Sequence, residues 1–290
     1  MRQFKQWMGA AISLRGCAFL VCGTMLILAS CSDVKDNPSQ PSPSVEKKMV
    51  IATIKKYLNG EFFSCDSFDY DSQGRLVYSL NYGRMGDSYD TANYHFFTYY
   101  PDRIEDKDYQ LKDDGTYGYY VLKAYYLGDN GYIAYAMSSK RGSGNYDLVD
   151  TIYTCQYNSL GQMVEVSDGK GGHSYDWQDG NLVVPLWSCT YSDAPANGYW
   201  PITIDEINNS LYWMGWYGKL SAHLPAKNVL LQNSSGAESE YVYDYQLDGG
   251  RIVSYTTTIT ANLPTYHYSF ETHYQYFFTW KEIVCSKLSD

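Results

Sequence analysis

The sequence predicts an all-β protein, one continuous bent meander of antiparallel hairpins interrupted by a short helical insertion near residues 200–225. Three observations carry that expectation. Apolar and polar residues alternate with a period of two over long stretches, which sends them to opposite faces of strands. A turn motif recurs: an aromatic pair spaced by two, a polar turn containing glycine, then Arg, Gln, Asn or Tyr followed by an aliphatic residue. Tyrosine is the compositional outlier, 32 of 290 residues, and a phenol ring with an apolar body and a wet tip suits either face of a sheet.

The first 30 residues read as an export signal. Arg2, Lys5 and Arg15 precede an apolar run from Cys17 to Ala29, which has the length of a signal core and falls short of the roughly 20 residues that span a bilayer. The run ends in Leu28-Ala29-Ser30-Cys31. Residues 31–47 then form a tether, since SDVKDNPSQPSPSVEK offers three prolines, serines and scattered charges but nothing that builds a core. At about 3.1 Å per residue such a segment reaches up to roughly 50 Å. Residues 48–290 remain as a single β-meander domain.

Within that domain the clearest copies of the turn are FDYDSQGRLV at 68–77, CQYNSLGQMV at 155–164 and YDYQLDGGRIV at 243–253, with looser ones at 124–133 and 175–183. Asp or Asn starts the reversal through its side chain, and glycine supplies the positive φ that lets the chain return. The strands between the turns alternate cleanly. Tyr266, Tyr268, Phe270, Tyr274, Tyr276, Phe278 and Trp280 fall on one face, and His267, Ser269, Glu271, His273 and Gln275 on the other. From 192 to 229 the pattern breaks into prolines, acids and three tryptophans. Helical turns are expected there over Asp205–Leu211 and Gly218–Leu224, with Asp205 capping the first.

Composition excludes some functions. Removing residues 1–30 takes three basic residues and no acids, leaving 19 Lys plus Arg against 32 Asp plus Glu, a net charge of −13. Nucleic acid is therefore not an expected partner, because a phosphate backbone is held by clustered Lys and Arg. Cys65, Cys155, Cys189 and Cys285 allow three disulfide pairings that spacing does not resolve, and we read them as mostly buried free thiols. No metal and no cofactor are expected. His267 and His273 share a strand face but stand about 20 Å apart. The run Asp168 to His173 lacks phosphate-loop spacing. The acids at 105–114 miss the calcium-loop register and read as a solvated strand and turn. Arg141-Gly142-Ser143-Gly144 lacks the setting of a nucleophile elbow. No catalytic residue is assigned.

Three resemblances follow from these motifs. Leu28-Ala29-Ser30-Cys31 resembles the lipobox of bacterial lipoproteins, which implies cleavage before Cys31 and fatty acylation of that residue, with Asp33 and Asp36 similar to an acidic surface-export signal. The FDYDSQGRLV turn looks like the tyrosine-aspartate repeats of Rhs and teneurin-type proteins. The lipobox, the repeated turns, W-x-x-G-N-L at 177–182 and Gly218-Lys219 to Leu224-Pro225 resemble the Bacteroidetes lipoproteins grouped as domain of unknown function 4595. That resemblance implies a porin-like fold, meaning a strongly curved meander or partly closed barrel, in the outer membrane on a lipid anchor. It implies no catalytic residue. The expected function is non-enzymatic binding of a carbohydrate or host macromolecule, with Tyr199, Trp200, Trp213, Trp216 and Tyr217 as the ligand patch, since sugar faces stack on such rings. The alternatives are a structural or interaction protein of the envelope, in which these aromatics plug the sheet, and a glycan hydrolase.

Overall fold

The computed structural model describes residues 45–85, 88–110, 121–139, 148–169, 171–184, 187–202, 207–232, 237–263 and 268–286. The expected signal, Cys31 and residues 32–44 of the tether lie outside them. The strands are β1 (Val45–Leu58), β2 (Glu61–Tyr70), β3 (Leu76–Met85), β4 (Ser88–Tyr99), β5 (Arg103–Gln110), β6 (Val121–Leu127), β7 (Ile133–Ser139), β8 (Leu148–Tyr157), β9 (Met163–Ser167), β10 (Gly172–Ser174), β11 (Asp176–Gln178), β12 (Asn181–Val183), β13 (Trp187–Pro195), β14 (His223–Gln232), β15 (Ala237–Asp248), β16 (Arg251–Leu263) and β17 (Tyr268–Ser286). A single helix among the described residues, α1 (Asn209–Trp213), lies between β13 and β14.

Fifteen of these strands form one sheet in the order β10-β9-β8-β7-β6-β5-β4-β3-β2-β1-β17-β16-β15-β14-β13, with β11 and β12 as a separate hairpin. Every pairing is antiparallel, so the meander is as expected. One long-range pairing joins its halves: β1 lies against β17 in a register from Val45↔Ser286 to Leu58↔Tyr274. Residues 45–47, expected in the tether, already belong to this ladder. The stretch from 88 to 135 is rich in tyrosine, and its described residues belong to β4 to β7.

Alternating strands place every second turn at the same rim. The turns of all five repeat copies lie at the rim where β1 begins and β17 ends, and so does the segment from Ala196 to Ala222 between β13 and β14. In the first copy Gly74 N–H donates to the Asp71 carbonyl, and Asp71 Oδ1 accepts from the amides of Gln73 and Arg75. In the third, Asn158 does the same for Leu160 and Gln162, again with a bond from Gly161 N–H to the Asn158 carbonyl. Gly74 and Gly161 sit at φ 76° and 74°, where a side chain would be strained.

The aliphatic residue after each turn has a second task. Leu76, Ile133, Met163, Leu182 and Ile252 are all buried, and each carbonyl is gripped by the polar tip of an aromatic from a later strand. Tyr99 Oη donates to Leu76 O at 2.8 Å, Tyr157 Oη to Ile133 O at 2.8 Å, Trp177 Nε1 to Met163 O at 2.8 Å and Trp280 Nε1 to Ile252 O at 2.7 Å, while Tyr191 Oη donates to Leu182 O. Successive hairpins are thereby clasped at the rim, where a strand-end carbonyl otherwise lacks a partner. The hairpin β11–β12 stands between the sheet's edges: Tyr175 N–H bonds Val164 O of β9, and Tyr191 of β13 bonds Leu182. The backbone ladder itself does not close.

The 196–222 segment caps this rim. Ile133 N–H donates to Trp216 O, Lys219 N–H to Gly161 O, Ala222 N–H to Gly180 O, and Asn197 Nδ2 to Gly250 O. One short segment thus touches β7 and β16, eight strands apart in the sheet, which requires strong curvature. The expected helical insertion is corrected in detail. Helix α1 is capped by Asn208, whose Oδ1 accepts from Leu211 N–H at 3.1 Å, and Asp205 lies outside the described residues. Residues Gly218–Leu224 are not helical, because Gly218 has φ +87°, the Lys219 and Ala222 amides are drawn to turn carbonyls, and Pro225 disfavours helix in the residue before it. Residues 192–195 and 223–229 belong to β13 and β14.

A Cβ at Gly218 would stand 2.4 Å from the Gly161 carbonyl oxygen. Gly218→Ala is expected to destabilise the fold by about 2 kcal/mol or more, a fall of roughly 4–8 °C in Tm, through forced backbone strain and lost capping contacts. Ala at Gly131, whose added Cβ meets nothing within 4 Å at φ +76°, should cost less in the same thermal melt.

Candidate functional site

The five aromatics expected as a ligand patch build the cap. Tyr199, Trp200 and Tyr217 are 5 %, 2 % and 0 % exposed, and Trp213 and Trp216 are half-buried. Trp213 packs on Tyr199 with centroids 4.8 Å apart and sends Nε1 to Trp200 O at 3.2 Å. Trp216 packs on Tyr99 at 5.5 Å. These rings face the sheet and one another, so they do not form a shared solvent-facing platform. The physical reason is the width of the sheet, whose capped rim must be filled by the largest apolar side chains at hand.

A different set of aromatics lines a cavity of about 330 Å³ on the inner face. Strand alternation delivers them: Tyr241 and Tyr243 from β15, Tyr255 and Thr257 from β16, Tyr274 and Tyr276 from β17, with Lys56 of β1, Trp187 of β13, and Pro201 and Ile202 from the cap. Tyr255 and Tyr276 stack at 4.2 Å and 11°. Several phenols are used by the fold. Tyr243 Oη accepts from Asn228 Nδ2 at 3.1 Å, and Tyr255 Oη bonds Tyr199 Oη at 3.0 Å. Tyr241 and Tyr274 have no hydrogen-bonded partner for Oη among the described residues, which leaves two phenols for a ligand. Lys56 Nζ sits 4.3 Å from the Tyr274 ring centroid and 4.9 Å from that of Phe63. Burial lowers the Lys56 pKa against the opposing pull of Asp66, and burial raises that of Asp66 against its bond from Asn81 and the charge of Lys56.

Beyond Asp66 the inner face carries a charged ladder across β4, β5 and β6. His95 Nδ1 lies 3.0 Å from Asp106 Oδ1, and Lys123 Nζ lies 3.1 Å from Asp108 Oδ2. Tyr125 Oη donates to Asp106 at 3.4 Å, and Asn208, the cap of α1, donates from Nδ2 to Tyr125 Oη at 3.4 Å. Asp106 is fully buried, which corrects the reading of the 105–114 acids as a solvated strand. The register Phe97↔Asp106 turns that carboxylate inward with Ile104. Period-two alternation carried the signal, since Asp106 lies two residues from an inward aliphatic, but the sequence does not announce its partner His95.

Cys65, Cys155, Cys189 and Cys285 are free thiols, the first two buried, and burial pushes Cys155 up to about 12. Lys170, His267 and Arg141 to Gly144 lie outside the described residues. Among the described residues no group of three or more His, Cys, Asp and Glu is placed to hold a metal ion.

Burial opposes protonation of His95, but the hydrogen bond and charge of Asp106, with Asp108, outweigh it and raise its pKa above the usual value. A raised pKa in the fold contributes stability fully below the unfolded value of about 6.5 and loses it as pH rises through the raised value. Thermal melts from about pH 6 to about pH 9 should therefore show stability falling with pH, and His95→Gln should flatten the slope over that window. An unchanged slope in the variant would remove His95 from this role.

The chain matches no protein-family model and no curated protein, so the resemblance to domain of unknown function 4595 gains no support from either. Among solved structures it is similar to a porin-like protein from Bacteroides uniformis, at 17 % identity and TM-score 0.55 over 83 % of this chain and 99 % of that one. A porin-like protein from Bacteroides vulgatus aligns at 11 % identity over 80 % of this chain and 98 % of that one, with TM-score 0.28, too low to carry an argument. The first comparison establishes what the strand order already indicates: this is a porin-like, nearly all-β fold whose sheet stays open.

Proposed function

We propose that the protein is a lipid-anchored protein of the bacterial outer envelope that binds carbohydrate, without transforming it, in the tyrosine-lined cavity on the inner face of the sheet. One observation carries this reading. The cavity combines flat ring faces with the unused phenols of Tyr241 and Tyr274. Sugars present apolar C–H faces and hydroxyl edges, so rings for stacking and phenols for hydrogen bonding match both. The rings are held in place by neighbouring strands, which reduces the ordering cost of binding.

The address rests on the export signal and Cys31. Residues Asp244, Thr256, Glu271 and Gln275 face outward in the middle of β15, β16 and β17 and are polar, a pattern unsuited to an outer face in lipid. Anchoring then falls to the acyl chains on Cys31. Val45 and Ser286 pair at the capped rim, and Leu58 and Tyr274, which lines the cavity, pair at the other end of the same ladder.

Tyr241→Phe and Tyr274→Phe in the full-length protein should each weaken carbohydrate binding by roughly 3- to 10-fold, the worth of one hydrogen bond. Their melting temperatures should stay within a degree or two of the parent, because neither hydroxyl is used by the fold. A glycan array followed by calorimetry checks both points. Folded protein that binds no glycan on the array would sink the reading and leave an interaction role in the envelope.

A further inference from the structure

A second cavity, of about 470 Å³, lies between the cap and the rim of the sheet. Its walls include Phe68, Tyr70, Trp213 and Trp280, together with Lys48 at the start of β1 and Arg251 at the start of β16. The polar tips of three of these rings are all taken by backbone carbonyls: Tyr70 Oη by Ile51 at 2.9 Å, Trp213 Nε1 by Trp200 at 3.2 Å, and Trp280 Nε1 by Ile252 at 2.7 Å. What they offer a ligand is therefore ring surface in a fixed orientation.

The charge in this cleft is unusual for the chain. Among the described residues no acidic side chain lines the cavity. The neighbouring cations are neutralised elsewhere, Lys47 by Glu282 at 2.9 Å and Lys281 by Asp69 at 2.6 Å. Lys48 and Arg251 have no ion-pair or hydrogen-bond partner for their side chains among the described residues. A protein with a net charge of −10 thus keeps two uncompensated cations at one aromatic-walled cleft. Cations without acids select an anion, and planar rings beside them select a sugar ring over a bare inorganic ion. The volume is within the range of small-ligand sites.

We infer that this rim cleft is a second binding site, distinct from the inner cavity, and that it takes an anionic saccharide whose ring lies against Trp213 and Trp280 while its carboxylate or sulfate meets Lys48 and Arg251. The site is independent of neutral-sugar binding in the inner cavity. It gives the capped rim a recognition task that the fold alone does not demand.

Isothermal titration of the full-length protein with oligogalacturonate, a sulfated oligosaccharide, neutral maltohexaose and inorganic sulfate tests this. At least one of the two acidic oligosaccharides should bind with an affinity that falls as salt rises, and the pair Lys48→Gln plus Arg251→Gln should lose it by roughly tenfold or more. The same variant should melt like the parent and keep any binding of neutral glycan. Which acidic oligosaccharide binds assigns the anion as carboxylate or sulfate. The inference is overturned if neither binds to folded protein, if the double variant binds both as the parent does, or if inorganic sulfate competes as well as the saccharide, which would mean an adventitious ion only. A parent protein that binds an acidic oligosaccharide but no neutral glycan would count against the inner cavity and leave this site standing.

Discussion

A sheet of fifteen strands wraps more space than its own side chains can fill, and the rest of the molecule answers that constraint. About eight strands enclose an interior that side chains just pack, while sixteen or more leave an aqueous channel. This sheet stands near the upper limit, without a closed ladder. Its solution is asymmetric. One rim is filled by the Ala196–Ala222 segment, whose Trp200, Tyr212 and Tyr217 are among the largest fully buried side chains. The cavities lie where that filling ends, one on the inner face beside Pro201 and Ile202 and one at the rim beside Trp213. They are consequences of the sheet's width, and what differs between them is the chemistry of their walls.

The abundance of tyrosine has the same origin. A phenol is long enough to project from a strand toward the middle of a wide sheet, and its tip can satisfy a carbonyl or another phenol there. Tyr70, Tyr99, Tyr157, Tyr191 and Tyr245 each donate to a backbone oxygen. Phenylalanine in those places would leave these backbone carbonyls without the phenol donor, at a cost of about 1–3 kcal/mol for each one buried and unpaired. Burial pushes these phenols well above their ordinary titration range, so they remain neutral donors at physiological pH. The exceptional tyrosines are the ones without such a task, and Tyr241 and Tyr274 are exceptional in the place where a ligand would sit.

Much of the fold was legible in the chain because it rests on local rules. The period of two in 268–280 and the Asp71 and Asn158 turns are decided by residues within one hairpin. The 192–229 break was visible too, since proline and tryptophan interrupt the alternation. What the sequence concealed depends on contacts between distant hairpins. Nothing near Val45 reveals that it pairs with Ser286. Tyr199, Trp200 and Tyr217 carry no local mark distinguishing a cap from a sugar platform, because the same rings serve both and only the curvature of the sheet decides. The partnership of His95 with Asp106 needs the β4–β5 register, which a single residue of slip would turn to the opposite face. That no described acid pairs with Lys48 or Arg251 was equally hidden, since it depends on which acids the fold places elsewhere.

The repeats, finally, explain why the two ends of the sheet differ. A meander puts alternate turns at alternate rims, so a motif carried by every second turn collects at one of them. These turns expose glycine carbonyls: Gly161 O accepts from Lys219, Gly180 O from Ala222 and Gly250 O from Asn197. A Cβ added to the turn glycines would stand 3.4 Å from Ala222 Cβ at Gly180 and 3.5 Å from Asn197 Nδ2 at Gly250, whereas at Gly161 it would meet Tyr132; the tightest approach is on the cap's side, where a Cβ at Gly218 would stand 2.4 Å from the Gly161 carbonyl oxygen. The repeated glycine reverses the chain, and the carbonyls of Gly161, Gly180 and Gly250 give the segment that seals the rim its anchoring points. β1 begins and β17 ends at that same rim.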